Sequence, residues 1–258
     1  PNIGNIQGTA SFGYGNYHGM TAKLEKRYNS GLSYMMAYTF GHVLATSGTT
    51  LSGSSGFGNK NPRNLSLNYS SAAWDIRHSF VSNFLYDLPF GRGKKFLGNV
   101  NRAADVLIGG WQMNGILTFR TGPPFTLRTD RCIGSFDSCF PDLLAGKNPN
   151  AAPAGGRRPE QWFDTSAVLL QPTPGTNGNL GLQTNYAPGQ RNVDVSLFKA
   201  FHLTERLSSQ FRAEAFNIAN TPQWSQPGNN LQNSDFGRIN GTQAGSERRL
   251  QLALRIMF

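Results

Sequence analysis

Charge is scarce in this chain: 15% of its 258 residues are Asp, Glu, Lys or Arg, where a soluble α/β enzyme carries about a quarter. No stretch approaches the ~18 to 20 apolar residues that a membrane helix needs, so a helical membrane protein is excluded. Residues 1 to 30 lack the charged start and apolar centre of a secretory signal. That absence implies either a soluble protein or an N-terminus lying upstream. The length would allow one sizeable core or two small ones and decides little.

Reactive groups are few. His18, His42, His78 and His202 fall on different segments with no paired metal spacing. No G-x-S-x-G, P-loop or dinucleotide fingerprint is present, and Gly91-Arg92-Gly93-Lys94-Lys95 lacks the spacing of a phosphate loop and reads as a turn. Asp194 and Glu214 are one conceivable carboxylate pair for acid/base work. Positions on the wall of a polar lumen, paired with Arg212 or other arginines, explain them as well. No catalytic residue, metal or cofactor is therefore expected, and the chain is not expected to be an enzyme.

The two cysteines, Cys132 and Cys139, stand close together in a Gly, Asp and Pro-rich segment. Such a pair in a loop usually forms a disulfide in an oxidising compartment; two free thiols are the alternative. Metal binding would need further ligands nearby, and none are there.

The formal charge is +10, which raises the question of nucleic acid. The bases are scattered over turns and loops, among them Arg63, Arg92, Lys94, Lys95, Arg128, Arg131, Arg157, Arg158 and Arg191. A nucleic-acid partner is not expected; a basic rim facing lipid phosphates fits better.

What the chain does have is period-two alternation, the pattern of a strand with lipid on one side and water on the other. From 249 to 258, Leu250, Leu252, Leu254, Ile256 and Phe258 oppose Arg249, Gln251, Ala253, Arg255 and Met257. A helix would scatter these two sets around its circumference; a strand separates them. In 32 to 42, Leu32, Tyr34, Met36, Tyr38 and Phe40 oppose Ser33, Met35, Ala37 and Thr39. In 77 to 88, Phe80, Phe84, Tyr86 and Leu88 share a face with Ser82. In 110 to 120, Trp111, Met113, Gly115, Leu117 and Phe119 oppose Gln112, Asn114, Ile116, Thr118 and Arg120. Segments 191 to 198 and 207 to 216 repeat the pattern, and 17 to 28 carries a weaker copy in Met20, Ala22 and Leu24. The expectation is seven strands of an all-β, antiparallel transmembrane barrel.

The connections support this, because outer-membrane barrels join strands by short turns on the periplasmic side and long loops outside. Asn29-Ser30-Gly31 is a short turn, and about His202 to Arg206 is another. Residues 43 to 76, 121 to 190 and 219 to 247 are long and rich in Gly, Asn, Ser or Pro. The exception is 89 to 109, which should be a periplasmic turn yet runs to about twenty residues, against the short turns usual on that side. With the long loops outside, the last strand runs inward and Phe258 ends in the periplasm. Tyr28, Tyr34, Tyr86, Trp111, Phe201 and Phe258 then lie near the inner strand ends, with Phe40, Trp74 and Phe119 near the outer ends, where aromatic belts belong. Seven strands leave two open edges whose N–H and C=O groups hydrocarbon cannot satisfy. The remaining strands are expected upstream of Pro1, making this the C-terminal part of one larger barrel domain, with plug and N-terminal domain absent.

Phrases along the chain resemble the C-terminal part of TonB-dependent outer-membrane receptors of the Oar-like, carboxypeptidase-regulatory-like type. They are the run from Asn16 to Tyr28, Tyr38-Thr39-Phe40, Asp75-Ile76-Arg77-His78-Ser79-Phe80, Leu88-Pro89-Phe90-Gly91-Arg92-Gly93-Lys94, Gly109-Gly110-Trp111-Gln112, Thr121-Gly122-Pro123-Pro124-Phe125, Phe211-Arg212-Ala213-Glu214-Ala215-Phe216-Asn217 and the terminal Phe258. The resemblance implies a plugged barrel of about 22 strands, a TonB complex as partner through the absent N-terminal part, outer-membrane lipid and lipopolysaccharide around it, and a large ligand: a glycan, peptide or chelate. It also implies that Leu250, Leu252, Leu254, Ile256 and Phe258 form the signal read by the barrel-assembly machinery.

Candidate ligand contacts are Arg120, Arg212, Glu214, Arg249 and Arg255 on the expected lumen wall and Trp162 and Trp224 in the expected outer loops. Two other functions stay open at this point: a surface barrel for adhesion or structure, and a soluble β-sheet carbohydrate-binding module.

Overall fold

The computed structural model describes residues 13–46, 60, 64–130, 140–169, 178–202, 204 and 207–258. Cys132, Cys139, Arg63 and Arg131 lie outside the described residues.

Seven long strands form one antiparallel sheet: β1 (Gly15–Asn29), β2 (Leu32–Ala45), β3 (His78–Asp87), β4 (Trp111–Arg120), β5 (Gln190–His202), β6 (Ser208–Phe216) and β7 (Arg249–Met257). Their spatial order is their chain order, a simple meander. A short strand, Ser70–Ser71, adds to the end of β2. The sheet does not close: the outer edges of β1 and β7 have no strand partner among the described residues.

Directly paired residues in an antiparallel ladder share a face, so the register tests the alternation read from the sequence. Met20, Ala22 and Leu24 stand beside Phe40, Tyr38 and Met36. Tyr38, Met36 and Tyr34 stand beside Phe80, Ser82 and Phe84, and these beside Phe119, Leu117 and Gly115. Leu117, Gly115 and Met113 meet Val193, Val195 and Leu197. Val195 and Leu197 meet Ala215 and Ala213, which pair in turn with Leu250 and Leu252. The apolar sets of all seven strands therefore fuse into one continuous face. A one-residue slip in any pair would have sent half of them to the other side. The opposite face carries polar rows, for example Thr21, Thr39, Ser79, Arg120 and Gln190 side by side.

Short connections join β1 to β2 and β5 to β6 and long ones join β2 to β3, β4 to β5 and β6 to β7, while residues 88 to 110 between β3 and β4 break the alternation. Ser30 and Gly31 take positive φ (55° and 81°) in the β1–β2 turn, the conformation that twists a two-residue hairpin correctly. Three features depart from the sequence reading. Strand β5 runs on to His202 instead of stopping at 198. Lys199 interrupts the apolar alternation, but the ladder continues through it, pairing with Trp111 and Phe211. Its ammonium donates to the carbonyl oxygens of Gly109 and Asp105 and lies over the rings of Trp111 and Phe201, so the charge is satisfied on an apolar face. Second, the β3–β4 connection contains a helix, α1 (Arg102–Ile108), where only a turn was expected. The Asn101 side chain accepts from the Ala104 N–H at 2.8 Å and caps it. Third, Asp194 has no arginine partner among the described residues. It accepts from Asn192 Nδ2 at 2.9 Å and from the Asn217 N–H at 2.8 Å.

The hydrophobic core lies outside the sheet, among the long connections. Phe125, Leu127, Phe163, Val168, Leu180, Ala187 and Leu231 cluster there, with Leu143, Trp162 and Phe236 packed against them. The connection between β4 and β5 is folded on itself by short ladders, Pro124–Phe125 with Asn185–Tyr186 and Asp142–Leu143 with Val168–Leu169, and joined to the one between β6 and β7 by backbone bonds such as Trp162 N–H to Gly237 O at 2.7 Å. A buried carboxylate ties in the first connection: Asp75 accepts from the Val43 N–H at 2.9 Å and bonds His42 Nδ1 at 3.0 Å. The loop end is thus a packed layer resting on the strand ends.

Candidate ligand-binding cleft

Between that layer and the strand ends lies a cleft of about 760 Å³, within the size range of ligand pockets. It is bounded by the start of β3, the end of β4, the start of β5 and the second and third long connections. Arg77, Arg120, Arg157 and Arg191 line it together with Trp162 and Trp224, and among the described residues no Asp or Glu does.

Three of the four arginines are held through their guanidinium groups and the fourth through its backbone. Arg77 follows the buried Asp75, whose carboxylate lies 3.6 Å from its Nε. Its Nη2 donates towards the Tyr186 hydroxyl at 3.4 Å, and its Nε is buried with no hydrogen bond of its own among the described residues. Arg120, the last residue of β4, grips the Gln190 amide oxygen at the first residue of β5 through Nε at 2.9 Å and through Nη2. Arg157 donates to the Trp162 carbonyl at 2.9 Å and the Asn150 carbonyl at 2.6 Å, and its guanidinium lies 5.4 Å from the Trp162 ring centroid. Burial pulls the Arg157 guanidinium below the usual arginine value, although arginine remains a cation in proteins. Trp162 is fixed in turn by its Nε1–H bond to the Tyr186 carbonyl at 2.8 Å. At Arg191 the backbone exchanges two bonds with the Gln223 amide, tying the start of β5 to the segment that carries Trp224.

Close backbone approach makes one wall of the cleft. A Cβ at Gly122 would sit 1.8 Å from the Ala187 carbonyl oxygen, so the chain passes there only as glycine. Gly122-Pro123-Pro124 then leads directly into the buried Phe125.

Chemically, the arrangement suits a ligand with anionic groups. Planar guanidinium groups bind carboxylate or phosphate with paired, charge-assisted hydrogen bonds, and clefts lined by one sign of charge concentrate the field. The partners that hold these arginines are mostly neutral amide and carbonyl oxygens. Asp75 is the one carboxylate paired with any of them among the described residues, so most of their charge is left uncompensated.

Of the residues singled out by sequence, Arg120, Trp162 and Trp224 meet in this cleft. Arg212, Glu214, Arg249 and Arg255 do not. They occupy the polar face of β6 and β7. Arg212 Nε bonds Gln210 at 2.8 Å, Glu214 pairs across to Gln251, Arg255 pairs across to Gln210, and Arg249 lies over the Phe216 ring. Arg249 also lines a separate recess of about 190 Å³ with Asp194 and Glu247. Sequence reasoning missed Arg77, His78 and Tyr186 as site residues and took Arg157 and Arg191 for scattered loop bases. A signal was present in Asp75-Ile76-Arg77-His78, whose acid and base alternate immediately before a strand.

A family model of the outer membrane beta barrel domain matches residues 1–251. No curated protein and no solved structure matches the chain. The family replaces the soluble carbohydrate-binding module as a reading of the alternating sheet: its apolar face is a lipid face and its polar face a lumen wall. The seven-stranded meander, its single apolar face and the match over nearly the whole length lead to one conclusion: the chain belongs to the outer membrane β-barrel domain family and resides in the bacterial outer membrane.

Proposed function

We propose that the chain forms part of a TonB-dependent transport or receptor barrel that takes up or binds a large nutrient, a glycan, peptide or chelate bearing anionic groups, and that the loop-end cleft is where those groups are first held. The observation that carries the reading is four arginines and two tryptophans gathered in one cleft with no lining carboxylate among the described residues. With long loops outside, the cleft faces the medium, where such a ligand arrives. The open edges of β1 and β7 need further strands to close a barrel, and coupling to a TonB complex would run through segments beyond this sheet. Leu250, Leu252, Leu254, Ile256 and Phe258, on the lipid side of the last strand, are the residues for the barrel-assembly machinery to recognise. Outer-membrane lipid and lipopolysaccharide would contact the same face. We assign no enzymatic activity and no nucleic-acid partner.

The test compares an acidic oligosaccharide, oligogalacturonate, with a neutral one of equal length on the whole protein in detergent. Oligogalacturonate is expected to bind with a salt-sensitive affinity, and Arg120→Ala or Arg157→Ala to weaken it by about tenfold or more, the usual loss for a charge-assisted hydrogen bond. Neutral sugar should respond little to either change. Equal binding of both probes, or none, would sink the anionic-ligand reading; uptake that persists in cells lacking TonB would sink the transport reading.

A further inference from the structure

We propose that the connection between β3 and β4, residues 88 to 110, is a membrane-interface anchor that binds anionic phospholipid headgroups at the periplasmic leaflet. An outer-membrane barrel needs little chain on this side, yet this connection has a helix and a chemistry of its own.

Its location follows from two contacts. Trp111 and Lys199 pair across β4 and β5 on the lipid face. The Trp111 Nε1–H donates to the Leu107 carbonyl at 2.8 Å, and the Lys199 ammonium donates to the carbonyl oxygens of Asp105 and Gly109. Both side chains reach the last turn of α1 from the lipid side, so α1 lies over the lipid face and not beneath the lumen. The helix carbonyls also account for a lysine on that face: its stem lies along apolar surface and its charge ends at the interface.

The connection is apolar where it is exposed. Leu107 is 70% exposed, Val106 57%, Leu97 53% and Phe96 47%. In water these side chains would form an uncovered patch; beside the lipid face they continue it downward. Phe96 is braced against Phe90, with ring centroids 5.7 Å apart. Cations flank these side chains in the sequence, and Lys95 lies over the Phe96 ring. Arg92, Lys94, Lys95 and Arg102 are all exposed. The one carboxylate of the connection, Asp105, is half-buried and accepts from the Arg92 N–H at 2.6 Å. Apolar side chains flanked by Lys and Arg are the composition of segments lying in the plane of a membrane interface, and basic residues at that depth attract anionic lipid.

The test places a photo-crosslinking residue at Leu107, and separately at Phe96, in the whole protein in outer membranes, with Asn148 in the loop layer as control site. Heat-modifiable migration reports that the barrel is intact, and neither exposed side chain supports the strand ladders. The expected result is a phospholipid adduct at both sites, enriched in anionic phospholipid over its share of the membrane. In a variant carrying R92Q, K94Q and K95Q the ratio of anionic to zwitterionic phospholipid adducts should fall by about tenfold or more, since each basic residue near the surface is worth about a factor of five. Adducts to protein only, no adduct, or lipid adducts without anionic preference in an intact barrel would each overturn the proposal. Ligand binding in the loop-end cleft should be unchanged, so this result stands apart from the transport reading.

Discussion

Replacing Phe163 with alanine is expected to open the loop layer while leaving the strand sheet folded. Phe163 is completely buried, lies 6.1 Å from Phe125 and meets Phe236 edge-on at 5.3 Å between ring centroids. It therefore joins the second long connection to the third. Truncating a buried phenylalanine costs about 3 to 5 kcal/mol, part transfer and part cavity. A layer held by one small core and two-residue ladders has little in reserve, whereas the sheet is held by continuous backbone pairing along seven strands. Proteolysis that samples an open form follows its population. Cleavage within 121–189 should thus accelerate by about a hundredfold or more, by the same energy, while heat-modifiable migration persists. Arg157 and Trp162 hang on this layer, so oligogalacturonate binding should be lost as well. The contrasting substitution is Phe119→Ala, on the lipid face and already 38% exposed, where lipid takes the place of the lost ring. If Phe163→Ala left the loops as resistant as before, the core would not be what positions the cleft.

The strands were legible because the bilayer imposes one simple rule on each of them. Leu250, Leu252, Leu254 and Ile256 could be read without knowing any neighbour, and the register then set them beside residues chosen by the same rule. The loop core obeys no such rule. Phe125, Phe163, Leu180 and Leu231 are separated by tens of residues of Gly, Pro and Asn, and no periodicity marks them as partners. The same holds for the cleft. Arg120 was found because it ends an alternating strand, but Arg77 and Arg157 come from different connections, and only packing brings them to it. The helix α1 escaped because seven residues give too short a window for a 3.6-residue period. The alternation over 191 to 198 fell short of the end of β5 because Lys199 puts a charge in line with Val193, Val195 and Leu197, and its partner lies some ninety residues earlier in the chain at Gly109.

The lipid assignment of the apolar face makes the sharpest demand on three arginine substitutions in β4. Leu117 faces Val193 and Ser82, and Thr118, one residue on, faces Asn192 and Val81 on the polar side. An arginine on the lipid face near the bilayer midplane costs about 2 to 4 kcal/mol, falling to about 0 to 1 near the interfaces. Leu117→Arg should therefore lower the denaturant midpoint and the yield of heat-modifiable protein strongly. Thr118→Arg, in the polar lumen, should change either little. Phe119→Arg returns to the lipid face but lies near the outer end of the strand, paired with Phe80 and Arg191, and should cost much less than Leu117→Arg. The third substitution separates a bilayer from a protein core. A core penalises a buried charge by local packing, with no gradient along the strand, whereas hydrocarbon penalises it by depth. Equal costs at 117 and 119 would mean that this face meets protein, and a greater cost at 118 than at 117 would mean that lumen and lipid sides are reversed.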